Sequence, residues 1–363
     1  MKIGIITIVD YTNYGNRLQN YAVYKILQSK FNCKATTLVS YKNKPFYDGK
    51  YILWLKNFIV KKLCVFPNFA EKRFGPTVTR WSNFHNWSKY IPTKNYYKSI
   101  MLPKKLNDEY DYFFVGSDQV WNYHFSASRF DDFFLRFSDD EKKVAISASF
   151  GVDKLPDKWK ETYKIGLEKF KYISVRENAG QKIIFDILNK EVPVLLDPVM
   201  MLSKEEWIKV SKKTRVDCSK PYVLKYYLGD ENEEEKIDKW AQKNGYEIYE
   251  LLNKDVPELY SAGPGEFLTL INNATLVCSD SFHCIAFSII FSRPFIVYSR
   301  LGDADYMTSR LETLLNTFNF QNRWKHMLKK EEYLQCDFSE SNSILNQEQK
   351  KFTKYVEQII NSK

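Results

Sequence analysis

The chain has 363 residues, of which 44% are hydrophobic and 16% aromatic, and its formal net charge is +10. This length exceeds one ordinary domain and predicts two domains of about 150–200 residues each. Residues 1–9 carry one charge and lack a small-residue cleavage site, which is typical of a buried strand and argues against a secretion signal. No apolar stretch approaches the roughly 18–20 residues of a membrane span. We therefore expect a cytoplasmic protein.

The cysteines and the distribution of charge exclude two further classes of protein. None of the six cysteines forms a CxxC pair or lies at zinc spacing from a histidine, so we expect reduced thiols and no metal site. Residues 41–90 contain ten Lys or Arg and two acidic residues, a net charge of +8. A general nucleic-acid binder spreads its charge over more of the fold, so we expect no nucleic-acid partner.

The first half of the chain has the alternation of strands and helices that is typical of a parallel α/β sheet. A helix is predicted from about Arg17, because Leu18, Ala22 and Ile26 recur at helical spacing. Residues 41–100 interrupt the alternation as a basic, aromatic insertion with an amphipathic pattern over 52–63. The apolar runs predict strands over 2–9, 33–39, 111–115, 144–149, 172–175 and 193–196, and a second helix over 159–170.

A second α/β alternation follows. Its predicted strands cover 222–227, 247–252, 274–278 and 295–298, and its predicted helices cover 231–244, 265–273, 285–290, 309–316 and 347–360. Neither half contains a GxGxxG or GxxxxGK[ST] motif. We therefore predict an α/β protein with two facing Rossmann-like domains and a site in the cleft between them. The predicted boundaries are 1–195, including the insertion at 41–100, then 196–335, and a C-terminal helical segment at 336–363.

Polar clusters follow four of the predicted strands. They are Ser117-Asp118-Gln119, Ser149-Phe150-Gly151, Ser174-Val175-Arg176-Glu177 and Asp280-Ser281-Phe282-His283. A polar residue after a strand is as well explained by a helix N-cap. Four such clusters together favour a binding site, because open parallel sheets bind ligands at the carboxyl ends of their strands.

His283 and Arg176 are the two strongest candidates for functional residues of this site. A lone histidine is more often structural, but His283 follows a strand and a polar turn and precedes a short helix. There its imidazole could move a proton or hold an anion. Arg176 is equally compatible with an ion pair at the edge of the core and with an anion clamp for phosphate or carboxylate.

A set of short motifs in a fixed order resembles the polysaccharide pyruvyl transferase family over residues 10 to 315. Beyond the strand-end clusters, it comprises Tyr14-Gly15-Asn16-Arg17-Leu18-Gln19, Gly116 to Asn122, Asp197-Pro198-Val199 and Arg293-Pro294-Phe295. The resemblance implies a GT-B-like fold with the acceptor on the N-terminal side and the donor on the C-terminal side. It implies transfer of a pyruvyl group from phosphoenolpyruvate to sugar hydroxyls of a cell-surface polysaccharide or its precursor, giving a cyclic ketal with no cofactor.

By the same resemblance, Arg176 corresponds to an arginine that binds the donor and His283 to a histidine at the donor site. Some relatives place an arginine where Ser281 stands here, so Arg300 or Arg310 is the candidate for that charge. We expect His283 to act as acid or base, with Asp118 or Glu177 as partner of the hydroxyl. The other expected substrate-binding residues are Asn16, Gln19, Ser117, Gln119, Ser149, Gly151, Ser281 and Phe282.

Two other functions remain compatible with the sequence. A nucleotide-sugar glycosyltransferase of the same architecture could place Gly263-Pro264-Gly265-Glu266 near a nucleotide, and a carbohydrate-binding protein without activity would leave phosphoenolpyruvate unchanged. The basic segment 41–90, with thirteen aromatic residues, is either a solvated helical excursion on the N-terminal domain or a peripheral surface. Such a surface would contact anionic lipid at the inner face of the membrane or a lipid-linked sugar acceptor.

Overall fold

The computed structural model of the protein describes residues 1–41, 75–97, 101–229, 234–300 and 308–362. The amphipathic segment predicted over 52–63 and most of the basic segment lie outside the described residues. No helix in these described ranges has the length and apolar character needed to cross a membrane.

The first half of the chain forms a six-stranded parallel sheet in the order β3-β2-β1-β4-β5-β6. Its strands are β1 (Lys2–Ile6), β2 (Lys34–Tyr41), β3 (Thr93–Tyr97), β4 (Tyr112–Val115), β5 (Lys143–Ala148) and β6 (Tyr172–Val175). The helices of this half are α1 (Tyr14–Ser29), α2 (Pro76–Trp87), α3 (Leu106–Glu109), α4 (Phe130–Phe133), α5 (Asp157–Leu167) and α6 (Asn178–Leu188).

The second half forms a four-stranded parallel sheet in the order β10-β9-β7-β8. Its strands are β7 (Tyr222–Tyr226), β8 (Glu247–Glu250), β9 (Leu276–Ser279) and β10 (Phe295–Val297). Its helices are α7 (Lys204–Val210), α8 (Glu234–Lys243), α9 (Pro257–Tyr260), α10 (Pro264–Asn273), α11 (Phe282–Ile290) and α12 (Ser309–Thr317), and the chain closes with α13 (Ser341–Ile360). Two parallel sheets with intervening helices confirm the predicted α/β class and Rossmann-like halves.

Most central strands are predicted from sequence because parallel strands are covered on both faces and therefore carry continuous apolar runs. Every residue of β4, β7 and β9 is buried. The edge strand β3 was not predicted, since its sequence Thr-Lys-Asn-Tyr-Tyr is half-buried or exposed throughout. Residues 93–97 therefore belong to the first sheet, although the pattern of residues 41–100 indicated only an insertion.

Helix α2, the described helix within the segment 41–90, contacts both halves of the chain. The Arg80 guanidinium donates through Nη1 to the Tyr260 carbonyl and to the Tyr14 hydroxyl, both at 2.8 Å. The Tyr14 hydroxyl in turn donates to the Ala262 carbonyl at 2.8 Å, and its ring stacks 4.3 Å from the Phe267 ring. These contacts fix the start of α1, in the first half, against α10 in the second.

The C-terminal helix α13 returns to the first half of the chain. Tyr355 donates its hydroxyl to the Ala145 carbonyl of β5 at 3.1 Å, and Gln349 donates to the Met200 carbonyl at 2.8 Å. Phe352, Val356 and Ile359 are buried on the same helix. The last helix therefore packs on β5 of the first half and on the segment that joins the two sheets.

Candidate active site

The carboxyl ends of strands from both sheets face one cavity of about 290 Å³. The first half contributes the segments after β1 and β4, and the second half contributes the segments after β7, β9 and β10. This is the facing arrangement that the sequence predicted. The lining residues are Ile8, Asp10, Asn13, Asn16, Asp118, Gln119, Phe125, Leu228, Ser281, Phe282, His283, Arg300 and Arg310.

A larger hollow, of about 670 Å³, lies elsewhere, at the amino ends of β1 and β2, where Met1, Lys34 and Asp111 line it. It is more open, and none of the residues of the strand-end polar clusters lines it. Because ligands of parallel α/β sheets bind at the carboxyl ends of the strands, we assign the site to the smaller cavity.

Arg176 lies behind the cavity wall and is surrounded by carboxylates. Its Nη1 contacts the Asp197 Oδ2 at 2.5 Å, its Nη2 lies 3.6 Å from the Asp118 Oδ1, and its Nε lies 4.0 Å from the Glu177 Oε2. Phe282 covers the guanidinium, with the ring centre 4.6 Å from Cζ. Burial lowers the pKa of Arg176, but the three carboxylates outweigh that effect and raise it above its usual value. Arg176 is therefore a fixed, paired cation that does not line the cavity.

Asp197 joins Arg176 to His283, and the sequence analysis did not select it as a site residue. Its Oδ2 lies 3.6 Å from the His283 Nε2, which is beyond hydrogen-bond distance but within ion-pair range. Burial raises the pKa of Asp197, yet His283 and Arg176 together bring it below its usual value. A carboxylate so held can orient the imidazole. The position of Asp197 directly after a short apolar run was the signal that could have found it.

His283 occupies the second position of α11, whose N-cap is Ser281, and its side chain is buried at the cavity wall. The predicted helix began two residues later, at Ile285, so the structure places His283 inside the first turn. Gly15 of α1 packs directly against the imidazole, since a Cβ built on Gly15 would lie 2.1 Å from Nδ1. The first half of the chain thereby fixes a side chain of the second half.

We expect Gly15→Ala to lower kcat by about 100-fold, because a displacement of about 1 Å at a reacting group has that effect. The added methyl group cannot fit without moving the His283 ring. Helix propensity alone would make this substitution stabilising by about 1 kcal/mol. A double-mutant cycle with His283→Ala separates the two effects. If Gly15→Ala lowers kcat as strongly when the imidazole is absent, the glycine does not act through His283.

Arg310 and Arg300 bring positive charge to the cavity. Arg300 donates through Nε to the Asp280 Oδ2 at 2.9 Å, and the same carboxylate accepts from the Leu228 and Gly229 backbone N–H groups. Arg310 is buried, and its Nε has no hydrogen-bond partner among the described residues. Burial, together with Arg176 and Arg300, lowers the pKa of Arg310 to about 9, so it remains cationic at neutral pH.

Asp118 and Gln119 supply hydrogen-bonding groups from the first sheet. The Asp118 carboxylate accepts from the Asn16 side-chain amide and, at 2.8 Å, from the Gln119 backbone N–H. The Gln119 side-chain oxygen accepts from the Asn122 amide at 2.8 Å. All three predicted residues, Asn16, Asp118 and Gln119, line the cavity. Asp10 and Asn13 lie beside them and were not predicted.

The remaining predicted residues form a supporting layer. Glu177 is fully buried, and its Oε1 accepts from the Ser149 hydroxyl at 3.1 Å and from the Phe150 backbone N–H at 2.8 Å. Burial raises the pKa of Glu177 despite the nearby arginines. The Gln19 side-chain oxygen accepts from the Ser117 hydroxyl at 2.9 Å. These residues and Gly151, whose φ is +62°, are not among the cavity-lining residues.

The segment 263–266 and Cys284 do not line the cavity. Gly263 packs against Asn83 of α2, and its backbone N–H donates to the Glu266 carboxylate at 3.1 Å. The segment 263–266 therefore caps α10 at the interface of the halves and does not reach the cavity. Cys284 is fully buried, and burial raises the pKa of its thiol to about 12, so it is not a thiolate nucleophile.

The fold is similar to several solved structures at low sequence identity. A UDP-GlcNAc 2-epimerase from Neisseria meningitidis, bound to UDP-GlcNAc, is 12% identical with a TM-score of 0.45, covering 97% of this chain and 100% of its own. A glycosyltransferase from Rickettsia africae is 12% identical with a TM-score of 0.48, covering 100% and 99%. Anabaena HepE in complex with UDP is 10% identical with a TM-score of 0.43, covering 100% of both chains.

No curated protein matches the chain. The sequence profile of the family described as polysaccharide pyruvyl transferase matches residues 13–301, which is most of the chain and includes nine of the ten strands described above and ten of the 13 cavity-lining residues. Several of the motifs that suggested this resemblance contribute residues to the cavity wall, namely Asn16, Asp118, Gln119, Ser281, Phe282 and His283. The chain therefore belongs to the polysaccharide pyruvyl transferase family, and is a transferase that modifies polysaccharide.

Proposed function

We propose that the protein transfers a pyruvyl group from phosphoenolpyruvate to two hydroxyls of a sugar, forming a pyruvate ketal and releasing phosphate. The observation that carries this proposal is Arg310, a buried cation whose Nε lacks a partner among the described residues, at the wall of a cavity that also holds His283 and Arg300. A buried guanidinium N–H without a hydrogen-bond acceptor is costly, and an anion that binds beside it supplies that acceptor. Phosphoenolpyruvate carries two anionic groups, a phosphate and a carboxylate.

The donor anion fits the second-half side of the cavity. Arg310 and Arg300 supply guanidinium groups, which suit phosphate and carboxylate oxygens. The N-terminus of α11, at Ser281 and Phe282, adds the positive end of a helix dipole. Arg176 supports this arrangement indirectly, since Phe282 packs on its guanidinium and Asp197 connects it to His283. In this proposal Arg310 takes the place of the arginine that some relatives have where Ser281 stands.

The chemistry requires one acid and one base. His283, in its protonated form, gives its proton to the methylene carbon of phosphoenolpyruvate, which leaves an oxocarbenium-like centre at the neighbouring carbon. A sugar hydroxyl forms a C–O bond to that centre and loses its proton to a carboxylate. The second hydroxyl then attacks the same carbon, the C–O bond to phosphate breaks, and the second hydroxyl proton leaves with phosphate. The products are the ketal and inorganic phosphate.

Asp118 is the better base of the two carboxylates considered. It lines the cavity and follows β4 of the first half. Glu177 is fully buried, and its Oε1 is occupied by Ser149 and Phe150. We therefore propose that Asp118 accepts the proton of the acceptor hydroxyl. Glu177 instead orders residues 149–151 through its hydrogen bonds. The acceptor then lies on the side of the first sheet.

We expect Arg310→Met to weaken phosphoenolpyruvate binding by about 10- to 100-fold, because hydrogen bonds to a charged group contribute about 1.5–3 kcal/mol each. The same change is expected to raise the free energy of unfolding by about 0.5–2 kcal/mol, since it removes a buried charge. Calorimetric titration with phosphoenolpyruvate and urea denaturation measure the two quantities.

Arg136→Met is the matched control, because Arg136 is half-exposed and paired with Asp131 at 2.7 Å on the surface. It is expected to change neither quantity appreciably. Wild-type affinity for phosphoenolpyruvate in the Arg310→Met variant would remove Arg310 from the donor site. Absence of phosphoenolpyruvate binding to the wild-type protein would contradict the proposed donor.

A further inference from the structure

Two of the apolar side chains that line the cavity are large and exposed to solvent. Phe125 is 51% exposed and Leu228 is 45% exposed, and both line the cavity. Phe125 follows β4 in the first half, and Leu228 follows β7 in the second. Single exposed apolar residues are common on protein surfaces and need no explanation. Two exposed apolar side chains from different halves of the chain, both lining one small cavity, do require an explanation.

Hydrogen bonds fix the backbone at or beside both residues. Next to Phe125, the Ser126 N–H donates to the Asn122 carbonyl and the Ser126 hydroxyl donates to the Gln119 carbonyl, each at 2.9 Å. The Leu228 N–H donates to the Asp280 Oδ1 at 2.9 Å. Each exposed side chain is therefore attached to a segment that polar residues of the site fix. Such preorganisation reduces the entropy lost on binding.

Binding of phosphoenolpyruvate does not explain these exposed side chains, because an apolar surface does not stabilise a phosphate or a carboxylate. A pyranose ring does fit them, since it carries C–H bonds on its faces and hydroxyls around its edge. An aromatic ring presents a negative face to such C–H groups. Asp10, Asn13 and Asp118 line the same cavity and offer oxygen and amide groups to the hydroxyls.

We propose that Phe125, assisted by Leu228, is the stacking platform for the pyranose ring of the acceptor, and so determines acceptor specificity. This inference rests on the proposed function for the identity of the acceptor as a sugar. Phe125 contacts one face of the ring, and Leu228 closes over it from the second half. The two hydroxyls that react then point towards Asp118 and the donor carbon.

Saturation-transfer NMR with the methyl β-pyranosides of galactose, glucose and mannose tests the platform, and calorimetry with phosphoenolpyruvate is run on the same samples. In Phe125→Ala the affinity for the pyranoside that binds best is expected to fall by about three- to ten-fold, the range for one aromatic contact. Phe125→Trp is expected to retain wild-type affinity. Phosphoenolpyruvate affinity is expected to stay unchanged in both variants.

Phe185→Ala is the matched control, because Phe185 is 47% exposed on α6 and is not among the cavity-lining residues. The platform is refuted if Phe125→Ala binds the pyranosides as wild type does, if it loses phosphoenolpyruvate affinity to the same extent, or if wild type binds none of the pyranosides. The last result would indicate a lipid or protein partner for these side chains. If pyranoside binding depends on Phe125 while phosphoenolpyruvate does not bind, the platform stands and the proposed donor fails.

Discussion

Replacing His283 with glutamine is expected to lower kcat for phosphate release from phosphoenolpyruvate by about 10²- to 10⁴-fold, the usual contribution of a general acid. Glutamine keeps a hydrogen-bonding side chain at this position but cannot deliver a proton to carbon. Affinity for phosphoenolpyruvate is expected to change much less, because Arg310 and Arg300 remain at the cavity. Steady-state phosphate release and calorimetric titration separate the two effects.

The matched control is His326→Gln, since His326 is exposed and is not among the cavity-lining residues. It is expected to leave kcat at the wild-type value. If both His283→Gln and His326→Gln retained wild-type kcat, His283 would have no part in proton transfer. The histidine would then be a structural residue at the start of α11.

Replacing Arg176 with alanine is expected to reduce the free energy of unfolding by about 3–5 kcal/mol, which is the effect of removing one partner from a buried ion pair. Three carboxylates would lose their common cation, and Asp197 would lose a contact at 2.5 Å. Urea denaturation measures the change. Activity is expected to fall as well, because Asp197 would no longer hold His283 in the same way.

Two further variants test this explanation of the Arg176 effect. Arg136→Ala removes an exposed ion pair and is expected to cost at most about 1 kcal/mol. Adding Asp197→Asn to Arg176→Ala removes one uncompensated charge, so the double variant is expected to be more stable than the sum of the single changes predicts. Strict additivity of the two changes would show that Arg176 and Asp197 do not depend on each other.

The central strands and the general position of the site could be predicted from the sequence. Parallel strands covered on both faces leave apolar runs such as residues 112–115 and 276–279, and the polar residues that end them reach the same edge of the sheet. Edge strand β3 left no such run, because half of its surroundings are solvent. Helix α2 was missed for a related reason, since its buried face is divided among polar and aromatic residues that contact the other half.

The different surroundings of Arg176 and Arg310 could not be predicted from the sequence. Arg176 and Arg310 are both buried, and no local pattern distinguishes a guanidinium that carboxylates surround from one that lines the cavity. The difference arises from Asp197, Asp118 and Glu177, which surround Arg176 only after the chain has folded. The contact of Gly15 with His283 joins residues 268 positions apart and likewise requires the tertiary structure.

Phosphorus NMR of phosphoenolpyruvate, mixed with the enzyme and a panel of methyl pyranosides, UDP-GlcNAc and UDP-galactose, tests the proposed donor most directly. We expect the phosphoenolpyruvate signal to be replaced by that of inorganic phosphate only when a sugar acceptor is present, and the acceptor to gain the mass of one pyruvyl ketal. Arg310→Met and His283→Gln are expected to suppress both changes. Persistence of the phosphoenolpyruvate signal, with consumption of a nucleotide sugar instead, would contradict the proposed donor and identify a glycosyltransferase.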